Sequence, residues 1–275
     1  MKNDIISIDN IKDALLRSGY LMENRVLNFF QAAGLNSITN HHFPGDEEGK
    51  FREIDIIASM NFGNIPLDKS LKGVSIHVHF VAECINALQP IGVFENLASP
   101  EFNREALLFT LVNGDEDLRE RSSLLWSEAL DRLTSSKAPA KQYCGFIQKN
   151  QKGAEWMASH REDFHRTLTK LTQFVKYDLK QIESNWSGRR PQNCRIEIII
   201  PLIILQCEIL EIKNNTELEL VKVPYYNFNA PYDEYTSVSI GLVNEEYLKD
   251  YFENIETKLK MSFEFLKREL LYYYK

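Results

Sequence analysis

Two acidic residues fall in stretches whose alternation assigns them to a common side of neighbouring strands. In the stretch 73–84, Val74, Ile76, Val78, Phe80, Ala82 and Cys84 alternate with Ser75, His77, His79, Val81, Glu83 and Ile85. Successive strand residues point to opposite faces, so one face is apolar and the other carries Glu83. In 52–59, Glu53 and Asp55 project to one face and Arg52, Ile54 and Ile56 to the other. Convergent carboxylates from Asp55 and Glu83 supply the hard oxygen donors that a divalent cation such as Mg²⁺ takes. His77 and His79 share the polar face, but His79 and Glu83 are four strand residues, or about 13 Å, apart, too far to share one ion. The two histidines are expected to face solvent or a nucleic-acid groove.

The elements that must position these groups can be read from periodicity. Ser7 and Asp9 can cap a short helix carrying Ile11, Ala14 and Leu15, which ends at Gly19. A second helix holds Met22, Val26, Phe29, Phe30 and Ala33 on one side, places Glu23 in its first turn and stops at Gly34. The helix dipole alone favours an acid at that position. Strands are expected at 37–43, 52–59 and 73–84, separated by loops at Pro44-Gly45 and 61–66. Helical stripes follow at 122–133 and 155–182, then strands at 195–206, 208–213, 217–223 and 236–243. From Asn244 a long helix places Leu248, Phe252, Ile255, Leu259, Phe263, Leu266 and Leu270 at three- and four-residue spacing. That stripe packs on the core, on a second copy of the chain or on a protein partner.

The order of Glu23 on a helix, then Arg52-Glu53-Ile54-Asp55-Ile56-Ile57-Ala58, then Val81-Ala82-Glu83-Cys84-Ile85-Asn86, resembles the restriction-endonuclease-like, PD-(D/E)XK nuclease superfamily. Gln89-Pro90-Ile91-Gly92-Val93-Phe94 is similar to the proline-initiated strand that often follows this motif, and the likeness spans residues 10 to 96. The resemblance implies an α/β fold with a mixed central sheet flanked by helices. It casts residues 1–275 as a single nuclease-like domain, with 97–190 a mainly helical insertion. It also implies Glu23, Asp55 and Glu83 as catalytic residues, with Asp55 and Glu83 holding Mg²⁺ for cleavage of DNA, as in restriction or anti-phage systems. The ion would stabilise charge on a scissile phosphate and supply hydroxide near neutral pH.

The chain departs from the motif at one place: the family's lysine position is Ile85. Asn86 next to it points to the opposite face and would need a bulge to reach the site. A lysine can come from another element; Lys50, Arg52 and Lys72 are nearest in sequence, and Arg52 has the wrong strand parity. Without such a lysine, cleavage is expected to be weak or absent. Three readings stay open. The chain is a nuclease with a displaced lysine, a degenerate nuclease fold that binds nucleic acid or a protein partner, or an unrelated α/β module.

Charge bears on the partner. The chain carries a net −7, which disfavours simple coating of nucleic acid, since non-specific affinity comes mainly from cations on phosphates. Residues 132–195 nevertheless hold 13 Lys and Arg against 5 Asp and Glu. This basic segment, with Arg189 and Arg190, is the expected phosphate-contacting face unless it is an ordinary solvated surface. The four cysteines, Cys84, Cys144, Cys194 and Cys207, form no C-x-x-C pair and read as reduced core thiols of a cytoplasmic protein. No apolar run reaches the ~20 residues needed to span a bilayer, and the first residues lack a signal-peptide pattern.

Overall fold

The structure is a computed structural model that describes residues 6–45, 49–67, 73–95, 108–112, 116–131, 138–150, 153–186, 194–214, 217–231 and 237–274. Two helices, α1 (Ile8–Arg17) and α2 (Tyr20–Ala32), lead into an antiparallel meander of β1 (Asn36–Pro44), β2 (Phe51–Pro66) and β3 (Gly73–Ile85). Then come β4 (Ile91–Phe94), β5 (Leu108–Val112), α3 (Glu116–Asp131), β6 (Tyr143–Asn150), β7 (Gly153–Ser159) and α4 (Glu162–Trp186). The last third supplies β8 (Cys194–Leu205), β9 (Ile209–Asn214), β10 (Leu218–Val223), β11 (Tyr225–Pro231), β12 (Ser237–Asn244) and α5 (Leu248–Tyr273). The result is a mixed α/β molecule with two mixed sheets and, among the described residues, five helices.

The larger sheet runs β1-β2-β3-β8-β12-β11, with β5 also paired to β8. β8 lies parallel to both β3 and β12. Its sequence, CRIEIIIPLIIL, is nearly continuously apolar because helices and strands cover both of its faces. On one edge β5 pairs with residues 195–199 and β12 with 202–205. Pro201, which has no N–H to donate, falls in the gap between these two partners. The smaller sheet runs β10-β9-β4-β6-β7.

Two cores lie on the two faces of the larger sheet. Phe30, Ile76, Phe80, Trp126, Ile198, Leu259 and Leu266 belong to the core under α2, α3 and α5. Phe43, Val81, Phe164, Leu171, Phe174, Ile199 and Ile203 belong to the core under α4, which extends to β4 and β9. The apolar stripe of α5, including Leu248, Ile255, Leu259 and Leu270, is buried against this chain's own core. Asn244 starts that segment, accepting from Glu246 N at 2.9 Å and donating to Cys207 O at 2.9 Å. Among the described residues no helix is long and apolar enough to cross a membrane.

Several expectations need correction. Residues 61–66 form no loop; they continue β2 across an irregularity between Asn61 and Gly63. Gly63 lets the Phe263 ring pack close there, since a Cβ would sit 2.6 Å from that ring and force it to shift. The segment 97–190 holds α3 and α4 but also β5, β6 and β7, so residues 155–159 are strand rather than helix. β7 is an edge strand with Trp156 and Met157 exposed, which leaves no buried face to give a period-2 signal. β11 is a further strand beyond those expected.

Phe80 ties α2, β3 and α5 together, its ring 5.6 Å from Phe30 and 5.3 Å from Phe252. Phe80→Ala should therefore cost about 3–5 kcal/mol. In urea denaturation the midpoint should fall with the slope unchanged; a loss under about 1 kcal/mol would show that this junction can collapse around the void.

Candidate functional site

The ladder between β2 and β3 begins at Pro66/Gly73 and ends at Ile56/Ala82. Beyond it the two carboxylates take over from the backbone. Cys84 N donates to Asp55 Oδ2 at 2.8 Å, and Asp55 N donates to Glu83 Oε1 at 3.4 Å. The side chains thus satisfy N–H groups that the parting strands leave behind.

The backbone is irregular at the same level. In the β1–β2 register, Thr39 faces Ile56 and His41 faces Ile54, which sets Asn40 across from Asp55. Asn40 has φ 55, in the left-handed region that asparagine tolerates better than most residues. Ile54 packs in the core under α4, while Ile56 packs in the opposite core. The expected shared face of Ile54 and Ile56 is therefore wrong, because β2 changes face at Asp55.

The missing cation comes from α4. Lys170 Nζ lies 3.9 Å from Asp55 Oδ1 and in direct contact with Glu83 Oε2. Of the sequence neighbours, Lys50 is exposed in the loop after β1, and Lys72 lies outside the described residues. Lys170 is 87 residues from Glu83, so nothing local in the sequence pairs them. A signal exists in the helical phase. Leu168, Leu171, Phe174 and Val175 are buried, and Lys170 stands beside that stripe, where a long side chain can reach the sheet.

α4 is held in place by aromatic contacts and a polar network. Phe174 packs edge-on to His41 at 5.8 Å and Phe43 at 5.2 Å, and Phe164 meets Tyr143 at 4.6 Å. Farther along β3, His79 Nε2 lies 2.8 Å from Oε2 of Glu197, a fully buried residue that is also paired with Arg195. Asp178 of α4 sits in the field of His79, Glu197 and His41; burial raises its pKa, and the histidines oppose that rise. From Lys170 to Asp178 the helix climbs ~12 Å, and from Glu83 back to His79 the strand covers ~13 Å. The two spacings match, so α4 runs antiparallel to β3 and meets its acidic and histidine positions in turn. His79, expected to face solvent or a nucleic-acid groove, is partly buried and paired with Glu197, so it is not simply solvent-facing. His77 is half-buried, and burial and Arg195 lower its pKa.

Glu83 is 3 % exposed. Burial, then the neighbouring Asp55, pushes its pKa up to about 8, while Lys170 and the Asp55 N–H oppose the rise. Burial likewise raises Asp55, against the opposing Cys84 N–H and Lys170. Glu23 is in the same field: burial, Asp55 and Glu53 raise it, and Lys170 lowers it. Gly19 makes room for it, since a Cβ there would lie 2.8 Å from Glu23 Oε1. Arg25, two residues on, clamps α2 through Glu245 with bonds of 2.6 and 2.9 Å. Asp55, Glu83 and Lys170 therefore form one polar cluster, with Glu23 within its electrostatic field.

Asn86 is a structural residue. Its Nδ2 donates to Leu16 O at 3.1 Å and Ser18 O at 3.0 Å, tying down the end of α1. The four cysteines are unbridged; three are buried and Cys84 is half-buried. Burial and four nearby carboxylates, Asp55, Glu23, Glu83 and Glu245, hold the Cys84 thiol well above its ordinary pKa, which disfavours it as a nucleophile. Arg189 and Arg190 lie outside the described residues. Among the described residues no group of three or more His, Cys, Asp or Glu side chains is arranged to hold a metal ion. Two carboxylate ligands still suit Mg²⁺, which usually keeps several waters and takes one or two protein carboxylates.

In comparisons with known proteins, no family model, curated protein or solved structure matches the chain. The functional reading therefore rests on geometry and sequence.

The raised pKa of Glu83 makes stability depend on pH. Between its ordinary pKa of 4.5 and its folded value of about 8, the unfolded chain has lost the proton that the folded chain keeps. This contribution is fully present below pH 4.5 and is lost as pH rises through 8, with a slope approaching about 1.4 kcal/mol per pH unit. Glu83→Gln removes that slope, so urea midpoints at pH 5, 7 and 9 should fall less steeply in the variant than in the parent. Parallel profiles would mean that Glu83 is ionised throughout.

Proposed function

We propose that this chain is a Mg²⁺-dependent DNA endonuclease of the restriction-endonuclease-like type, in which a lysine on a helix replaces the lysine that the motif places at Ile85. The observation that supports this most is the position of Lys170 Nζ against both Asp55 and Glu83. A mixed central sheet flanked by helices accords with the fold that the motif implies.

Asp55 and Glu83 fit the cation by donor type and by charge. Both are oxygen donors at the point where two strands part; burial raises the pKa of both, so binding the cation would have to displace the proton that Glu83 keeps. A Mg²⁺ held by them would stabilise charge on a scissile phosphate and provide hydroxide near neutral pH. Lys170 keeps an ammonium at the place a phosphate must approach, where it offsets the carboxylates' repulsion, steadies a water and meets charge developing on phosphorus oxygens. Asp55 is fixed by the Cys84 N–H, so its orientation needs no rearrangement. Glu23, at the edge of the cluster, adds a further acceptor for an attacking water. The basic segment that includes Lys170, Arg189 and Arg190 supplies sequence-independent contacts to the DNA backbone. Action in restriction or anti-phage defence belongs to this reading.

A second reading is supported by the same contact. Lys170 touches Glu83 where a cation would otherwise sit, so an internal ion pair can stand in for the metal in a degenerate fold that only binds nucleic acid or a protein partner.

The two readings part on a duplex-DNA cleavage assay with Mg²⁺. The nuclease predicts cutting by the native chain, loss of cutting in Asp55→Asn, and a fall of about 10²–10³ in rate in Lys170→Met. Absence of cutting across Mg²⁺ and Mn²⁺ would favour the binding module. Undiminished cutting in Asp55→Asn would remove the proposed site altogether.

A further inference from the structure

Away from the carboxylate cluster, a cavity of about 460 Å³ opens between α4, β11 and the start of β6. The α4 residues that line it, among them His165, Thr169, Thr172 and Lys176, follow one helical stripe. Lys176 is about 120° around the helix from Lys170, so the cavity belongs to a different flank of α4 from the acidic site. Its volume lies within the range of about 300–1,000 Å³ typical of small-molecule sites.

The lining has a definite chemical bias. Lys141, Lys176, His160 and His165 contribute to it, and none of the lining residues is an Asp or Glu. In a chain with net charge −7, such a wall selects anions. One side is aromatic. The rings of Tyr143 and Phe228 line the cavity 5.7 Å apart and edge-on to each other, and His160 lies tilted 4.9 Å from Tyr143 and shares a 3.0 Å hydrogen bond with its hydroxyl. Inorganic phosphate would use the cations but leave most of this volume and the aromatic wall unused. A flat heteroaromatic group carrying a phosphate uses both, because every nucleobase has a π face to stack.

We propose that this cavity binds a nucleoside 5′-phosphate, with Lys141 and Lys176 neutralising the phosphate and the Tyr143–Phe228 wall receiving the base. The site does not depend on whether the acidic cluster cuts DNA. The same chemistry is offered by a free nucleotide and by the 5′-phosphorylated end of a DNA strand.

Isothermal titration of the full chain with AMP, adenosine and inorganic phosphate tests this. AMP should bind, with adenosine and inorganic phosphate each at least about tenfold weaker. Lys141→Gln, a change at an exposed residue, should weaken AMP about tenfold without changing the melting temperature. Asp55→Asn should leave AMP binding intact, which separates this site from the acidic one. Competition between AMP and a 5′-phosphorylated oligonucleotide names the source: tighter oligonucleotide binding assigns the strand end, and tighter AMP binding assigns a free nucleotide. No heat with AMP, adenosine binding as tightly as AMP, or unchanged affinity in Lys141→Gln would overturn the proposal.

Discussion

Asp55 and Glu83 converge where β2 and β3 part, so two carboxyl groups must share a partly buried space in which both cannot comfortably ionise. Three features of the molecule answer that conflict. Backbone N–H groups of Cys84 and Asp55 point into it, Glu83 holds its proton to higher pH, and Lys170 places an ammonium against it. The interaction of Lys170 with the pair is the one on which the functional account depends. With it, the cluster has both the acids that can hold a cation and an ammonium beside them that can face an arriving phosphate. Removing it would leave a buried carboxyl with too little compensation, which proteins tolerate poorly.

α4 is the element that makes this arrangement hold. Its apolar stripe is buried by Phe164, Leu168, Leu171, Phe174 and Val175. The stripe fixes the rotation of the helix, and the contacts of Phe174 with His41 and Phe43 fix its position over β1. Because helix and strand spacings agree over this length, Lys170 meets Glu83 while Asp178 meets the field of His79 and Glu197. A buried acid–histidine network thus lies along the same helix as the candidate catalytic ammonium. A third flank of that helix walls the cationic cavity.

Much of this is legible in the sequence, and what is not has physical reasons. Strands β2, β3 and β12 and the long last helix follow from periodicity, because each buries a face or stripe. Asp55 and Glu83 emerge from strand parity together with the motif, although parity fails locally at Ile54, where Asn40 turns left-handed across from Asp55. Lys170 does not emerge, because the pairing crosses 87 residues and depends on how a helix lands on a sheet. Periodicity gives a helix its buried face; it does not give the strand position beneath each turn. His79 reads as solvent-facing for a related reason: its partner Glu197 is on β8, and parallel pairing of β3 with β8 is a long-range fact.

The most direct test of the central claim asks whether one ammonium, delivered from either of two elements, serves the same carboxylates. Ile85 lies on β3 two residues from Glu83, on the same face by strand parity. Cleavage of duplex DNA in Mg²⁺ should be measured for Lys170→Met alone and for Lys170→Met combined with Ile85→Lys. The account predicts that the second substitution recovers at least about tenfold of the activity lost in the first, while bringing no gain to the native chain. Full native activity in Lys170→Met, or a gain from Ile85→Lys only when Lys170 is present, would contradict it.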